Sequence, residues 1–326
     1  MAITLLIGCR SNFNFREFRG YIFGTYYNIK YSGHQNYSDS IDNIFKQFNH
    51  SLSTYSYESD ISKINRGDNN IRIDSYFETV LKKSQEIYKI SGGAFDPTLG
   101  ILVNAWGFGP EINEIIPNAT KLKELMKYVG LNQISLKDGK IIKPRGVLLD
   151  FNAIAKGYVV DVISQYLEGQ GIKNYMVEIG GEIRAKGEKA SGKPWMIGIE
   201  KPVENQKLGE NIIFNLPLRD CSLATSGNYR KFKIDHKTGR KYVHTIDHKT
   251  GYPIISDLLS VSVLAKDCMT ADGYATAFMA LGVEKSKEFL KAHENLNLEA
   301  YFIYVDKVGN LHTLRTFHER MGIKYL

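Results

Sequence analysis

Asp272 and Thr276 stand four residues apart in Ala271-Asp272-Gly-Tyr-Ala-Thr276. On a helix that spacing puts a carboxylate and a hydroxyl on one face, one turn apart. Two hard oxygens so placed suit Mg2+, although the same pair also reads as a helix-start acid and a packing threonine. A second group runs Leu149-Asp150-Phe-Asn-Ala153-Ile-Ala-Lys156-Gly157-Tyr158. Here a strand reading ends in an acid and a helix opens, and free N–H groups at such a junction attract phosphate. Lys156 adds a compact positive charge, and Gly157 permits the close approach of another piece of chain. The GxxxxGK[ST] spacing of a P-loop is absent. A third group holds His236, His244 and His248. Zinc would need three or four converging ligands, and a strand–turn context does not force convergence, so a single histidine acting as proton acceptor is the favoured reading. Two glycine-rich pieces, Ser91-Gly-Gly-Ala94-Phe95-Asp96-Pro97 and Glu178-Ile-Gly180-Gly181-Glu182, let backbone approach a ligand. Neither is a GxGxxG after a strand, so a dinucleotide fold of the Rossmann type is unsupported.

These groups need elements to position them. Residues 21–31 read as a strand interrupted by Gly24, and 38–51 as a helix with Ile41, Ile44, Phe45 and Phe48 on one face. Ser75 and Glu78 form a capping-box pattern opening a helix that ends near Gly92-Gly93. Asp96-Pro97 reads as an N-cap and first-turn proline. A further helix over 120–129 closes at Gly130, and Asp138-Gly139 marks a hairpin. A strand over 147–150 is expected to feed a helix over 153–167. Strands follow at 175–179, 195–199, 212–216 and 260–265, helices at 270–281 and 285–293, and a hairpin around 306–310. Asp-His-Lys-Thr-Gly occurs at 235–239 and again at 247–251, too short for a fold repeat and read as two similar turns. Strands and helices mix without strict βαβ alternation, which predicts an α+β fold with mixed or antiparallel sheets.

Composition narrows the class. With 326 residues, 43% hydrophobic and 24% charged, the chain can bury a large core and is not expected to be disordered. No linker or low-complexity tract divides it, so residues 10–326 read as one domain. The net charge of +7 suits a polyanionic ligand or an acidic membrane face. Absence of a helix-turn-helix, an RNP box, zinc-finger spacing or a dense basic run argues against nucleic acid. No apolar run reaches membrane-spanning length. The three cysteines, Cys9, Cys221 and Cys268, do not form a disulfide framework; Cys221 and Cys268 read as buried free thiols, with a bond between them the minority alternative. Leu6-Ile7-Gly8-Cys9 resembles a bacterial lipobox, with residues 1–8 the remnant of a signal peptide and Cys9 lipidated; the alternative is a short buried strand. The lipobox reading places the protein on the periplasmic side of the bacterial inner membrane, held through a lipid anchor only.

Each motif is weak alone, but their order is specific. Phe23-Gly-Thr-Tyr-Tyr27, Ser53-Thr-Tyr55 with Ser59-Asp-Ile-Ser62, Gly93-Ala-Phe-Asp-Pro97, Leu149-Asp150 with Ala153-Ile-Ala-Lys-Gly-Tyr158, Gly180-Gly181 with Ile183-Arg184, Ala224-Thr-Ser-Gly227 with Tyr229-Arg230, His244-Thr-Ile-Asp247 with Thr250-Gly-Tyr-Pro253 and Ala271-Asp272 with Ala275-Thr-Ala277 follow one another. This set resembles the FAD:protein FMN transferase (ApbE) family from about residue 20 to 285. The resemblance implies a T-fold-like α+β structure with FAD, the substrate, in a cleft between two lobes. It implies Phe23 beside the flavin, Tyr55 stacking or hydrogen-bonding on the ligand, Ala94, Phe95 and Asp96 holding the adenosine end, Asp150 and Lys156 contacting FAD, and Ile246 lining its pocket. It implies Mg2+ on the Ala153 carbonyl, Asp272 and Thr276, agreeing with the pair read from spacing. The implied reaction moves FMN from FAD to a Ser or Thr hydroxyl of an acceptor protein and releases AMP, with Lys156 and Asp272 serving the chemistry and His244 as candidate base. The implied acceptor carries a motif of the type Asp-x-x-(Ser/Thr)-Gly-Ala-Thr, often in a membrane redox subunit. Asn152, His248 and Phe23 depart from the family's common residues. The alternatives are an FAD pyrophosphatase giving FMN and AMP, and a non-catalytic FAD-binding lipoprotein.

Overall fold

The structure is a computed structural model, and it describes residues 14–110, 116–189, 192–202, 210–228, 232–234 and 241–316. Cys9, Tyr229, Arg230, His236 and the turn at 235–239 lie outside the described residues. The elements in chain order are β1 (Phe15–Ile22), β2 (Thr25–Ser32), α1 (Ser38–Leu52), α2 (Asp60–Asn65), α3 (Ser75–Ile90), α4 (Gly100–Ala105), α5 (Ala119–Leu125), β3 (Ser135–Lys137), β4 (Lys140–Ile142), α6 (Ala155–Gly169), β5 (Tyr175–Ile179), β6 (Glu182–Lys186), β7 (Trp195–Glu200), β8 (Ile212–Leu218), β9 (Cys221–Gly227), β10 (Phe232–Ile234), β11 (Lys241–Val243), β12 (Leu258–Ala265), α7 (Cys268–Ala292), β13 (Glu299–Val305) and β14 (Leu311–Arg315).

One eight-stranded sheet, in the order β1-β2-β5-β6-β9-β12-β13-β14, organises the chain, and every pairing in it is antiparallel. This is the α+β class expected from the mixed element order. Alternation along the strands gives the sheet two different faces. Ile29 and Tyr31 of β2 and Tyr175, Val177 and Ile179 of β5 are fully buried in the main core, which they share with α1, α3, α6 and α7. Tyr26, Asn28 and Lys30 of β2 and Met176 and Glu178 of β5 point to the opposite face, where a cleft lies. The β7–β8 ribbon covers part of that face with a second core around Trp195, Ile197, Leu216 and Leu218. A third, smaller core gathers Leu102 and Trp106 from the α4 end, Leu122 and Leu125 of α5, and Ile246.

Several local expectations are corrected. The stretch at 21–31 is not one strand but the β1–β2 hairpin, turned by Phe23 at φ 51° and Gly24 at φ 74°, the left-handed pair that a two-residue hairpin turn requires. The cap of α3 is Asp74, which accepts the Phe77 N–H at 2.8 Å, rather than Ser75. Residues 147–150 form no ladder. Asn65 holds them instead, donating to the Leu149 carbonyl and accepting its N–H, both at 2.8 Å, while the Asp150 N–H donates to the Pro97 carbonyl. The two C-terminal helices run together as α7 across a break at Gly282, φ 76°. Cys221 and Cys268 are buried free thiols.

Candidate active site

The site is built on the junction of α6 and α7. Gly157 lies in the first turn of α6, and a Cβ there would stand 2.4 Å from the Cys268 carbonyl oxygen and 2.8 Å from the Asp272 Cβ. Only glycine lets the two helices meet this closely. The close approach lets the Gly157 N–H donate to Asp272 Oδ2 at 2.9 Å. α6 has no side-chain cap of its own, so a carboxylate from α7 satisfies one of its orphan N–H groups. In return, Asp161 of α6 accepts the N–H groups of Cys268 at 2.9 Å and Met269 at 2.8 Å, the first residues of α7. Arg184 of β6 donates to the same Asp161 at 2.8 Å, and Asp267 caps α7 within its own chain segment.

Asp272 and Thr276 thus point the same way from α7 into the cleft, as the four-residue spacing predicts. Asp272 is 3% exposed. The Thr276 hydroxyl lies 3.4 Å from the Ala153 carbonyl oxygen and 3.4 Å from the Ser226 hydroxyl. Lys156 reaches the same place and donates to Glu182 Oε1 at 2.6 Å. Burial works against the charge on Lys156, but Glu182 and Asp272 outweigh it and hold the ammonium above its ordinary pKa. Glu182 is 2% exposed, and its Oε2 has no hydrogen-bond partner among the described residues. Burial raises the pKa of Glu182, and Lys156 opposes the rise.

The cleft has a volume of about 690 Å³. Tyr55, Ala94, Phe95, Asp96, Asp150, Ala153, Lys156, His244, Ile246, Asp272 and Thr276 all line it, so residues from five separate stretches of sequence converge there. Phe23 is the exception. It does not line the cleft, because its position in the hairpin turn aims its ring at Phe45 and Phe48 of α1, with centroids 5.8 and 5.7 Å away. Asp96 lines the cleft, yet one carboxylate oxygen accepts both the Thr98 N–H at 2.8 Å and the Thr98 hydroxyl at 2.6 Å. Thr98 in turn accepts the Gly130 N–H at 2.7 Å. Asp96 therefore shapes the 94–97 loop as well as facing the ligand space, and burial lifts its pKa to about 6. Tyr55, 63% exposed, stands at the rim. His244 lies edge-on to Phe108. His248 is turned away from the cleft, with its Cδ2 3.1 Å from where a Gly93 Cβ would stand. Asn152 lines the cleft and donates to the Thr54 hydroxyl at 3.1 Å.

Sequence reasoning assigned no role to Glu182, Asp161 or Ser226. Glu182 was visible only as the acid after Gly180-Gly181; its partner Lys156 is 26 residues away, beyond any local spacing rule. Among the described residues there is no cluster of three or more His, Cys, Asp or Glu side chains able to hold a metal. The candidate cation site is of another kind, one carboxylate with a hydroxyl and a main-chain carbonyl.

The sequence matches the ApbE family over residues 23–302. It is 38% identical over 303 residues to the FAD:protein FMN transferase of Vibrio cholerae, covering 90% of this chain and 89% of that protein. It is 37% identical over 319 residues to that of Haemophilus influenzae, covering 93% and 90%. The solved flavin transferase ApbE from Vibrio cholerae superposes with a TM-score of 0.82 at 34% identity, covering 93% of this chain and 97% of that one. The apo flavinyl transferase ApbE from Pseudomonas stutzeri gives 0.82 at 31% identity, covering 93% and 95%.

Proposed function

The chain belongs to the ApbE family, and from that premise we propose that it transfers the FMN moiety of FAD to a Ser or Thr hydroxyl of an acceptor protein, forming a phosphoester and releasing AMP. The observation that carries this reading is the convergence, in one cleft, of Lys156 with the oxygens of Asp272, Thr276 and Ala153.

The donor set fits Mg2+. Asp272 is buried, one of its oxygens is engaged by the Gly157 N–H, and hydroxyl and carbonyl oxygens stand beside it, which is hard-ligand chemistry. Asp272, Thr276 and the Ala153 carbonyl would hold the ion, which when bound supplies positive charge against the pyrophosphate oxygens. The remaining work falls to side chains of this chain. Lys156, kept protonated by Glu182 and Asp272, binds phosphate oxygens as a fixed point charge. The buried 94–97 loop and Ile246 wall the ligand from water. His244 accepts the proton of the attacking hydroxyl. The hydroxyl oxygen bonds to the FMN-side phosphorus, the bond from that phosphorus to the bridging oxygen breaks, and AMP carries that oxygen away. Alignment of the two reactants is the main catalytic contribution. The Leu6-Ile7-Gly8-Cys9 motif supports lipid attachment on the periplasmic face, close to a membrane-bound acceptor.

The test is mass spectrometry of an acceptor peptide carrying Asp-x-x-Thr-Gly-Ala-Thr, incubated with the protein, FAD and Mg2+. A mass gain of one FMN, lost with EDTA and with Asp272→Ala, is expected. Free FMN and AMP without a labelled peptide would make the protein a hydrolase, and FAD binding without turnover would make it a carrier.

A further inference from the structure

The sheet splits where it enters the cleft. β6 pairs with β9 at Ile183–Leu223, Arg184–Ser222 and Ala185–Cys221, and no further. β12 pairs with β9 from Ser222 through to Gly227. Residues 224–227 of β9 therefore have a strand on one side only, and among the described residues no strand pairs on the other. Thr225, Ser226 and Gly227 line the cleft. β6 starts only at Glu182, where the Gly180-Gly181 turn brings the chain in from β5, so it does not reach these residues. Gly180, at φ 66°, packs on Thr25 of β2, whose Cγ2 lies 2.8 Å from its would-be Cβ. Gly181, at φ 101°, has no heavy atom within 4 Å of that position and faces open space.

A free strand edge is a template for another extended chain. Natural proteins cover such edges, and this one lies beside the reaction centre. The Ser226 hydroxyl is 3.4 Å from that of Thr276. Glu182 opens β6 at the fork, buried to 2% exposure and with Oε2 lacking a partner among the described residues. A buried carboxylate oxygen without a donor is destabilising unless a ligand supplies one.

We propose that the acceptor protein binds by β-strand addition: an extended Ser- or Thr-bearing segment pairs with β9 at 224–227, continuing the line of β6 into the cleft, with a donor group of that segment on Glu182 Oε2. Main-chain pairing of this kind gives affinity with little demand on sequence. It delivers a side-chain hydroxyl along the edge to the Asp272–Thr276 face in a fixed register, because successive side chains of a strand alternate in direction. The inference rests on the transferase reading above.

The experiment uses the full chain with FAD, Mg2+ and the Asp-x-x-Thr-Gly-Ala-Thr peptide, N-methylated at one backbone nitrogen at a time. Transfer is expected to fall roughly tenfold or more at alternate positions and to stay near the parent rate between them, a tenfold loss being the scale of one hydrogen bond. In parallel, amide hydrogen exchange at 224–227 is expected to slow when an unreactive peptide with Val in place of the acceptor Thr binds the FAD-loaded protein. Labelling that is insensitive to N-methylation, or sensitive without a period of two, overturns strand addition and leaves the transferase reading intact. Slowing of 224–227 by FAD alone, with no further effect of peptide, assigns the edge to FAD and likewise overturns it. An unmodified peptide that is never labelled overturns both.

Discussion

Asp161 and Asp272 cap each other's helices. Asp161 on α6 accepts the first N–H groups of α7, and Asp272 on α7 accepts the Gly157 N–H in the first turn of α6. The residue best placed to hold a cation is thus also part of the joint that fixes the two helices beneath it.

The two roles separate chemically. Asp272→Asn keeps an oxygen for the Gly157 N–H but removes the charge. Its unfolding free energy should lie within about 1 kcal/mol of the parent, while Mg2+-dependent FAD turnover falls by roughly 10²-fold or more. Asp272→Ala should lose turnover and a further 1–3 kcal/mol or so of stability. Urea unfolding alongside turnover at graded Mg2+ measures both. Equal instability of the two variants would remove the distinction.

Gly157→Ala inserts a methyl 2.4 Å from the Cys268 carbonyl. Helix propensity alone would favour alanine by about 1 kcal/mol. Overpacking should reverse the sign and destabilise by roughly 1–3 kcal/mol, with weaker Mg2+ response because Asp272 shifts with α7. A stabilised Gly157→Ala protein would mean the helix contact relaxes freely.

Glu182→Gln removes the carboxylate hydrogen-bonded to Lys156 and leaves Asp272 to balance the ammonium. The Lys156 side chain is 31% exposed, so water softens the loss below that of a fully buried pair, to about 1–3 kcal/mol. FAD affinity, read by flavin fluorescence, should fall with it. Removing both charges, as Lys156→Met with Glu182→Met, should recover stability but not FAD binding. Recovery of binding in the double variant would show that Lys156 does not contact the ligand.

His244→Ala should lower transfer roughly 10²–10⁴-fold, the range of a general base, with FAD affinity little changed. Near-normal turnover would place the base elsewhere in the cleft.

Asp96 carries a pH signature. Burial, opposed by its bonds to Thr98, raises its folded pKa to about 6 from an ordinary value of 3.8. Between those values the folded state holds a proton that the unfolded state has released, so stability falls as pH rises from about 4 to about 6 and is level above. The span is worth about 3 kcal/mol at most. Asp96→Asn should flatten that part of the profile in denaturation curves taken across the window. An unchanged slope would assign it to another group.

The site was legible in sequence where its logic is local. Asp272 and Thr276 share a helix face because of their spacing, and Gly157 announced a close approach whose partner proved to be α7. β2 and β5 alternate between core and cleft residues, the simplest strand signal. Contacts across long separations left no such trace. Gly157 and Asp272 are 115 residues apart, and neither Asp161 nor Glu182 has a neighbour in sequence that explains its burial. β6 and β9 carry no clear strand signal, because Arg184, Glu182, Ser222 and Ser226 break the apolar pattern, each serving an ion pair, the cleft or a buried face. Residues 147–150 look like a strand because they are apolar, yet the Asn65 side chain, rather than a ladder, satisfies Leu149. Motif position alone puts Phe23 at the ligand, whereas its left-handed turn conformation directs the ring against α1.

The double duty of Asp272 also bears on how such a chain can change under selection. Active sites are commonly strained, so discarding a functional residue often stabilises the fold. Here most replacements of Asp272 would loosen the helix joint while extinguishing activity, and mutational drift toward an inert descendant meets a penalty in folding as well as in function. Asparagine is the permitted exit, since it keeps the Gly157 contact. A descendant that has shed catalysis but retained this architecture would be expected to have passed through it.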